Sequence, residues 1–68
     1  MNGRQFIRRA RKWANANQHA LSVEKSRGKG GHQIVRLGGR WTTVKTGEIG
    51  TGLLAAMLSD LGIPKGEF

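Results

Sequence analysis

At 68 residues, the chain holds one domain, spanning residues 1–68, whose small core excludes a deep and enclosed substrate pocket. Twelve basic residues against four acidic ones give a net charge of +8, which favours nucleic acid, an acidic protein or an anionic membrane as the partner. Cysteine is absent and no apolar run approaches about 18 residues, which excludes disulfides, a cysteine–zinc site and a membrane span. The N-terminal region lacks the apolar stretch of a secretory signal, so we expect a cytoplasmic protein with no membrane partner.

The first predicted element is an amphipathic helix from Asn2, its N-cap, to about Asn17. At about 100° per residue, the positions of its packed side fall within an arc of about 120°. These positions are Phe6, Ile7, Ala10, Trp13, Ala14 and Asn17. The opposite side is cationic and carries no acid; it consists of Arg4, Arg8, Arg9, Arg11 and Lys12. The pattern predicts one packed stripe, with Trp13 in the core, and one stripe that can contact phosphates.

Three strands are predicted next. The first runs from His19 to Lys25, and the other two are the β-rich runs 32–37 (HQIVRL) and 40–46 (RWTTVKT). The two glycines between the last two runs, Gly38 and Gly39, predict a tight hairpin with a type I′ turn, which has a positive φ at both positions.

The two-residue loop also predicts which side chains of the hairpin share a face. One face pairs Leu37 with Arg40, Val35 with Thr42, and Gln33 with Val44; the other pairs Arg36 with Trp41, Ile34 with Thr43, and His32 with Lys45. We predict that the core face carries Leu21, Val23, Val35, Leu37 and Val44. The reverse choice stays open, because Ile34 and Trp41 on the other face are also apolar.

The last predicted element is a second helix from Thr51, its N-cap, to about Leu61. Its large apolar residues share one side: Leu53, Leu54, Met57, Leu58 and Leu61. Gly62 and Ile63 fit a Schellman ending, and Pro64 prevents continuation. The order α-β-β-β-α predicts a two-layer α+β fold, in which a three-stranded antiparallel sheet carries both helices on one face.

The positions of the basic residues indicate where the functional surface lies. Every basic residue except Lys65 precedes residue 48, and Glu24 is the only acid in that part of the chain. Phosphate contact is the functional interpretation, and a solvated face that keeps a small protein soluble is the alternative. The loop 26–31 (SRGKGG) adds glycines that let backbone N–H groups approach a phosphate, although it lacks the Gly-Lys-Ser/Thr of a Walker A motif.

His32 is the candidate catalytic residue. It leaves the glycine loop at the start of the second strand, on the face predicted for Arg36, Trp41 and Lys45. A neutral imidazole accepts a proton near neutral pH; the alternative is an exposed or capping histidine. His19, at the helix-to-strand junction, has no such setting and is interpreted as structural. Trp41 either stacks on a base or packs in an interface.

The acidic residues do not form a pattern that binds metal. They are scattered through the chain as Glu24, Glu48, Asp60 and Glu67. A two-metal site needs clustered carboxylates. If the protein cleaves a phosphodiester, we therefore expect it to use histidine and cationic stabilisation, with no metal and no cofactor.

Together these features resemble the HicA toxin family. The resemblance rests on the basic first helix, on Gly30-Gly31-His32 at the entry to the second strand, on the short third strand, and on IGTGLLAAMLSDLGI at 49–63. It covers nearly the whole chain. HicA proteins are small mRNA interferases of bacterial toxin–antitoxin pairs, with a fold like that of double-stranded-RNA-binding domains.

The resemblance implies that His32 is catalytic, that RNA is cleaved without a metal, and that a HicB-type antitoxin covers the active face in a hetero-oligomer. Gly30 matches the glycine of the family's Gly-Ser-His motif, while Gly31 stands in place of its serine. The segment 37–39 (LGG) replaces a basic or Pro-His element. From the residues and the resemblance together, the expected RNA-binding residues are Arg8, Arg11, Lys12, Arg27, Gly28, Lys29, Gly30, Gly31, Arg36, Trp41 and Lys45.

A ribonuclease toxin is the leading hypothesis, and two other functions compete with it. In the toxin, His32 would take a proton from a ribose 2′-OH, and Arg27, Lys29 and Lys45 would stabilise the developing charge. The first alternative is a non-catalytic RNA-binding module of the same fold, although the start of the second helix, TGLLAA at 51–56, lacks the lysines of the usual double-stranded-RNA mode. The second is a protein whose basic face serves only an acidic partner, which would show no RNA affinity.

Overall fold

A computed structural model describes residues 1–25 and 31–68 of the chain. The elements are α1 (Gly3–Ala16), β1 (Leu21–Lys25), β2 (His32–Leu37), β3 (Arg40–Lys45), α2 (Thr51–Leu61) and a short 3₁₀ helix, η1 (Lys65–Glu67). The predicted α+β order, α-β-β-β-α, is confirmed. No helix in the described part of the chain has the length and apolarity needed to cross a membrane.

The hairpin of β2 and β3 has the predicted register, from His32 opposite Lys45 to Leu37 opposite Arg40. Its turn differs from the prediction, because φ is positive at Gly38 (61°) and not at Gly39. A positive φ at the first turn position alone is typical of a type II′ turn, so the predicted type I′ turn is wrong. Both types close a two-residue loop, which is why the register is unaffected.

The strand β1 pairs antiparallel with β2, which makes β2 the central strand. The register places Leu21 and Val23 on the same sheet face as Leu37 and Val35. β1 begins at Leu21, two residues after the predicted start, because the chain is still closing α1 at His19. The His19 backbone N–H donates to the Ala14 carbonyl at 2.8 Å.

The core lies between one sheet face and both helices, as predicted. Its buried apolar residues are Phe6, Ala10, Ala14, Val35, Leu37, Val44, Ile49, Met57, Leu58, Leu61 and Ile63. On the other sheet face, Ile34 is half-buried and Trp41 is 55% exposed. The face of Val35 and Leu37 is therefore the core face, and the reverse choice is wrong.

The start of α1 has a reciprocal cap. The Asn2 side chain accepts from the Gln5 N–H at 2.9 Å, and the Gln5 side chain accepts from the Asn2 N–H at 2.9 Å. Each contact satisfies a backbone donor that has no partner within the helix. Asn2 is thus confirmed as the N-cap.

The end of α1 departs from the predicted packed stripe. Trp13 is half-buried rather than in the core, and Asn17 is exposed. The Trp13 ring stacks on His19, with ring centroids 5.4 Å apart, and its Nε1 donates to Glu67 at 3.1 Å. Trp13 lies at the edge of the core because its indole N–H donates to a polar partner there.

The start of α2 also differs in detail. Its N-cap is Gly50, with no side-chain hydrogen bond, and Thr51 is the first helical residue; the predicted Thr51 cap is wrong. Leu53 is 41% exposed, although it was predicted to share the apolar side. At about 100° per residue, it falls about 40° outside the arc of Met57, Leu61 and Leu58. Leu54 lies within that arc but in the first turn, where it is only half-buried.

The end of α2 is the predicted Schellman motif. Gly62 has a φ of 74°, and its N–H donates to the Ser59 carbonyl at 3.2 Å. The Ile63 N–H donates to the Leu58 carbonyl at 3.0 Å, and the Ile63 side chain is buried. A positive φ in this region favours glycine, which has no Cβ.

Candidate functional site

His32 begins β2 on the open face of the sheet, which we define as the face opposite the core. This face carries Ser22, Glu24, His32, Ile34, Arg36, Trp41, Thr43 and Lys45. The His32 side chain is exposed, as predicted, and Lys45 lies directly opposite it on β3. Residues in such a pair have Cβ atoms about 5 Å apart. A group bound at the imidazole is therefore within reach of an ammonium group.

Gly31 sets the direction in which the chain enters β2. Its φ is +99°, and its carbonyl accepts from the Thr46 N–H at 2.8 Å. Residues with a side chain rarely adopt such a φ. The backbone thus accounts for glycine at this position.

Arg36 and Trp41 share the open face but lie farther from His32. Four residues along a strand correspond to about 13 Å. The Arg36 Nε donates to Glu24 Oε1 at 2.9 Å, in an exposed ion pair that contributes about 0–1 kcal/mol. This contact directs the guanidinium towards β1. Of the predicted open-face cations, only Lys45 is adjacent to His32 among the described residues.

The predicted cations of α1 lie on the other side of the sheet. Arg8, Arg11 and Lys12 are exposed and line a shallow groove of about 490 Å³ with Arg4, Ile7 and Asn15. We call this the α1 groove. Because α1 packs on the core face, these side chains do not share a face with His32. The predicted site residues therefore divide between two surfaces, the open face and the α1 groove.

These two surfaces approach each other at one end of the sheet. A second groove, of about 580 Å³, is lined by Asn2, Arg4, Ile7, Arg11, Val23, Gln33 and Thr46. Gln33 follows His32 in the chain, and Thr46 follows Lys45. Gly3 fixes this arrangement, because a Cβ at Gly3 would lie only 1.9 Å from the Lys45 carbonyl oxygen. The α1 groove thus continues to the end of the sheet that carries the His32–Lys45 pair.

Two residues of this arrangement were missing from the predicted site. Arg4 precedes Arg8 and Arg11 by four and seven residues, a helical spacing that places all three on one side. That spacing was a usable signal for Arg4. No sequence signal marks Gly3, because its role depends on where the first turn of α1 meets the end of β3.

Arg9 does not face the grooves with the other basic residues of α1. Its guanidinium lies over the Phe68 ring, 4.8 Å from the centroid, and donates to the Phe68 carbonyl. Phe68 in turn packs against Phe6, with centroids 5.2 Å apart. The cations of α1 that face the grooves are therefore Arg4, Arg8, Arg11 and Lys12.

The four carboxylates are engaged at separate places. Glu24 contacts Arg36, Glu48 contacts the Met1 amino group at 2.6 Å, Asp60 accepts from Thr42 at 3.0 Å, and Glu67 accepts from Trp13. In residues 1–25 and 31–68, no three metal-ligating side chains form a group.

The predicted RNA-binding residues Arg27, Gly28, Lys29 and Gly30 lie outside the described residues. Comparison of the chain with profiles of known protein families, with curated proteins and with solved structures finds no match.

Proposed function

We propose that this chain is an endoribonuclease toxin of the HicA kind, which cleaves mRNA through His32 without a metal. The observation that carries the proposal is the exposed His32, opposite Lys45, at the sheet end where the cationic α1 groove opens. The α-β-β-β-α order supports a fold like that of double-stranded-RNA-binding domains. The cytoplasm is the compartment where such a toxin meets its substrate.

In the proposed reaction, His32 accepts the proton of a ribose 2′-OH. The 2′-oxygen then forms a bond to the adjacent phosphorus, the bond from phosphorus to the 5′-oxygen breaks, and the leaving oxygen takes a proton from water. His32 gives its proton to the resulting hydroxide and returns to the neutral form. Lys45 stabilises the negative charge that develops on the phosphoryl oxygens. The products are a 2′,3′-cyclic phosphate and a 5′-hydroxyl end. DNA lacks the 2′-OH and is not a substrate.

The RNA would approach His32 from the α1 groove. Arg4, Arg8, Arg11 and Lys12 can hold phosphates of a single strand that crosses the end of the sheet. Trp41 lies about 13 Å from His32 along the sheet, so it contacts a base next to the cleaved nucleotide rather than the reacting one.

A toxin of this charge would be held by an acidic, HicB-type antitoxin. Electrostatic complementarity to a +8 chain speeds capture and excludes wrong partners. Covering His32 and Lys45 would block the reaction, and the complex would be a hetero-oligomer.

The same α1 groove also favours a second candidate, a non-catalytic RNA-binding module, because its four cations bind phosphates without any help from His32. Induced expression of the wild type, His32→Ala and His19→Ala in cells, followed by recovery of cellular RNA, separates the two. His19 lies at the other end of the fold and is the matched control. A nuclease predicts fragmented RNA with the wild type and with His19→Ala, and intact RNA with His32→Ala. Equal RNA patterns for all three chains would contradict the proposal.

A further inference from the structure

Two large apolar side chains are exposed in the described part of the chain, Trp41 and Leu53. Both line one groove of about 520 Å³ between β3 and α2; its other residues are Thr42, Thr43, Ala56, Met57 and Asp60. We call it the edge groove. Single exposed apolar residues are ordinary. Here two of them line the same groove, which makes the groove a candidate interaction surface.

The edge groove borders an unpaired strand edge. Among the described strands, β3 pairs with β2 alone. In a two-residue hairpin, the Leu37–Arg40 pair next to the turn is hydrogen-bonded, and hydrogen-bonded pairs alternate along the ladder. The backbone N–H and C=O groups of Trp41 and Thr43 therefore point away from β2. Such an edge can accept another strand.

We propose that the edge groove binds an extended segment of an acidic protein partner, which adds a strand to β3. The segment would pair with the backbone of Trp41 and Thr43 and place an apolar side chain against Leu53 and Ala56. Affinity comes from the main-chain hydrogen bonds and the covered apolar surface, and selectivity comes from charge.

The charges around the edge groove indicate which partner segment it would bind. Arg40 and Lys45 are exposed at the two ends of β3, and the residues between them are uncharged. The one charged group in the groove is Asp60, whose carboxylate accepts from Thr42 at 3.0 Å. This arrangement favours a segment with an uncharged centre and an acidic residue at each end.

The same charges disfavour two other occupants. A second copy of this chain would bring another net charge of +8 to the interface. RNA would meet a groove whose lining has no basic side chain and one carboxylate. The edge groove differs from the α1 groove in all its residues and does not include His32, so this proposal stands whether or not His32 cleaves RNA. Trp41 is the one lining residue that the proposed RNA path also uses.

The test is an NMR titration of the ¹⁵N-labelled full chain with an acetylated and amidated peptide, Asp-Asp-Val-Thr-Val-Thr-Asp-Asp. We expect shifts at the amides of Trp41, Thr43 and Leu53. A peptide with lysine in place of aspartate should bind at least about tenfold more weakly, because it meets Arg40 and Lys45 with like charge. A peptide N-methylated at alternate amides cannot add to the edge and should not bind.

Matched variants separate the groove from general surface charge. Leu53→Lys should weaken peptide binding about tenfold, whereas Ala55→Lys adds the same charge at an exposed α2 position outside the groove and should not. Thr43→Pro removes one outward N–H and should weaken binding about fivefold, while Thr43→Val keeps it. Proline is tolerated where an edge N–H faces solvent.

Several outcomes would overturn the proposal. One is the absence of shifts at millimolar peptide. Another is equal binding of the aspartate and lysine peptides. Self-association of the wild type that Leu53→Lys abolishes would assign the groove to a second copy. A shift of the Leu53 amide, which lies outside the proposed RNA path, on addition of a single-stranded RNA oligonucleotide would assign the groove to RNA.

Discussion

Replacing Gly3 with alanine tests how closely α1 is fixed beside the His32–Lys45 pair. The added Cβ would lie 1.9 Å from the Lys45 carbonyl oxygen and 2.9 Å from its carbon, whereas Cβ contacts below 3.0 Å essentially do not occur. The helix start and the end of β3 would have to separate by about 1.1 Å, the difference between 3.0 and 1.9 Å. The obstacle is backbone and not a flexible side chain, so the cost of this overpacking is about 1–3 kcal/mol.

Gly52→Ala is the matched control. Gly52 also lies in the first turn of a helix, but nothing lies within 4 Å of its added Cβ. Removing a glycine there should stabilise the fold by about 0.5 kcal/mol, because the unfolded chain loses freedom. Urea unfolding followed by circular dichroism should therefore show opposite shifts of the midpoint for the two variants.

The same displacement should also affect RNA cleavage. A shift of about 1 Å in a supporting element can cost up to about a hundredfold in rate. We expect Gly3→Ala to cleave at least about tenfold more slowly than Gly52→Ala at a temperature where both are folded. If Gly3→Ala were as stable and as active as Gly52→Ala, α1 would not be fixed against β3, and the continuity of the grooves would be wrong.

Three further predictions concern charge. If the four groove cations of α1 and Lys45 bind single-stranded RNA, the slope of log affinity against log salt should be about −3.5. Arg11→Gln should reduce the magnitude of this slope by about 0.7, and a flat salt response would contradict phosphate contact. Lys45→Gln should lower the cleavage rate at saturating RNA about a hundredfold. Arg36→Gln should change the rate little, because the Arg36 guanidinium contacts Glu24 and not the reacting phosphate; equal effects of the two variants would contradict the role of Lys45. In a complex with an acidic antitoxin, amide hydrogen exchange should slow at His32, Trp41 and Lys45; suppressed cleavage with an unprotected His32 would contradict occlusion.

The strands and helices were predictable because periodicity and turn residues dominate their formation. The Gly38-Gly39 loop was enough to predict the full register of the hairpin, although not its turn type. The sequence left the core face undecided because Ile34 and Trp41 on one face are apolar, as are Val35 and Leu37 on the other. Packing of both helices against one face decides it, and that is a tertiary property.

His32, Lys45 and the basic residues of α1 carried a sequence signal, but their division between two faces did not. The position of His32 opposite Lys45 follows from the two-residue loop of the hairpin. Its exposure follows from strand alternation once helix packing has decided which face is the core face. The placement of Arg8, Arg11 and Lys12 on the far side of the sheet depends on how α1 docks. Leu53 was misplaced for the same reason, since the rotation of α2 against β3 is not encoded in helical periodicity.

The most direct test of the central claim is cleavage of a labelled single-stranded RNA by the purified chain in the presence of a metal chelator, with wild type, His32→Ala and His19→Ala compared. The proposed mechanism predicts fragments ending in 2′,3′-cyclic phosphate for the wild type and His19→Ala. It predicts no fragments for His32→Ala, which should still bind the RNA with unchanged salt dependence. Cleavage by His32→Ala at the wild-type rate, or no cleavage by any of the three chains, would contradict it.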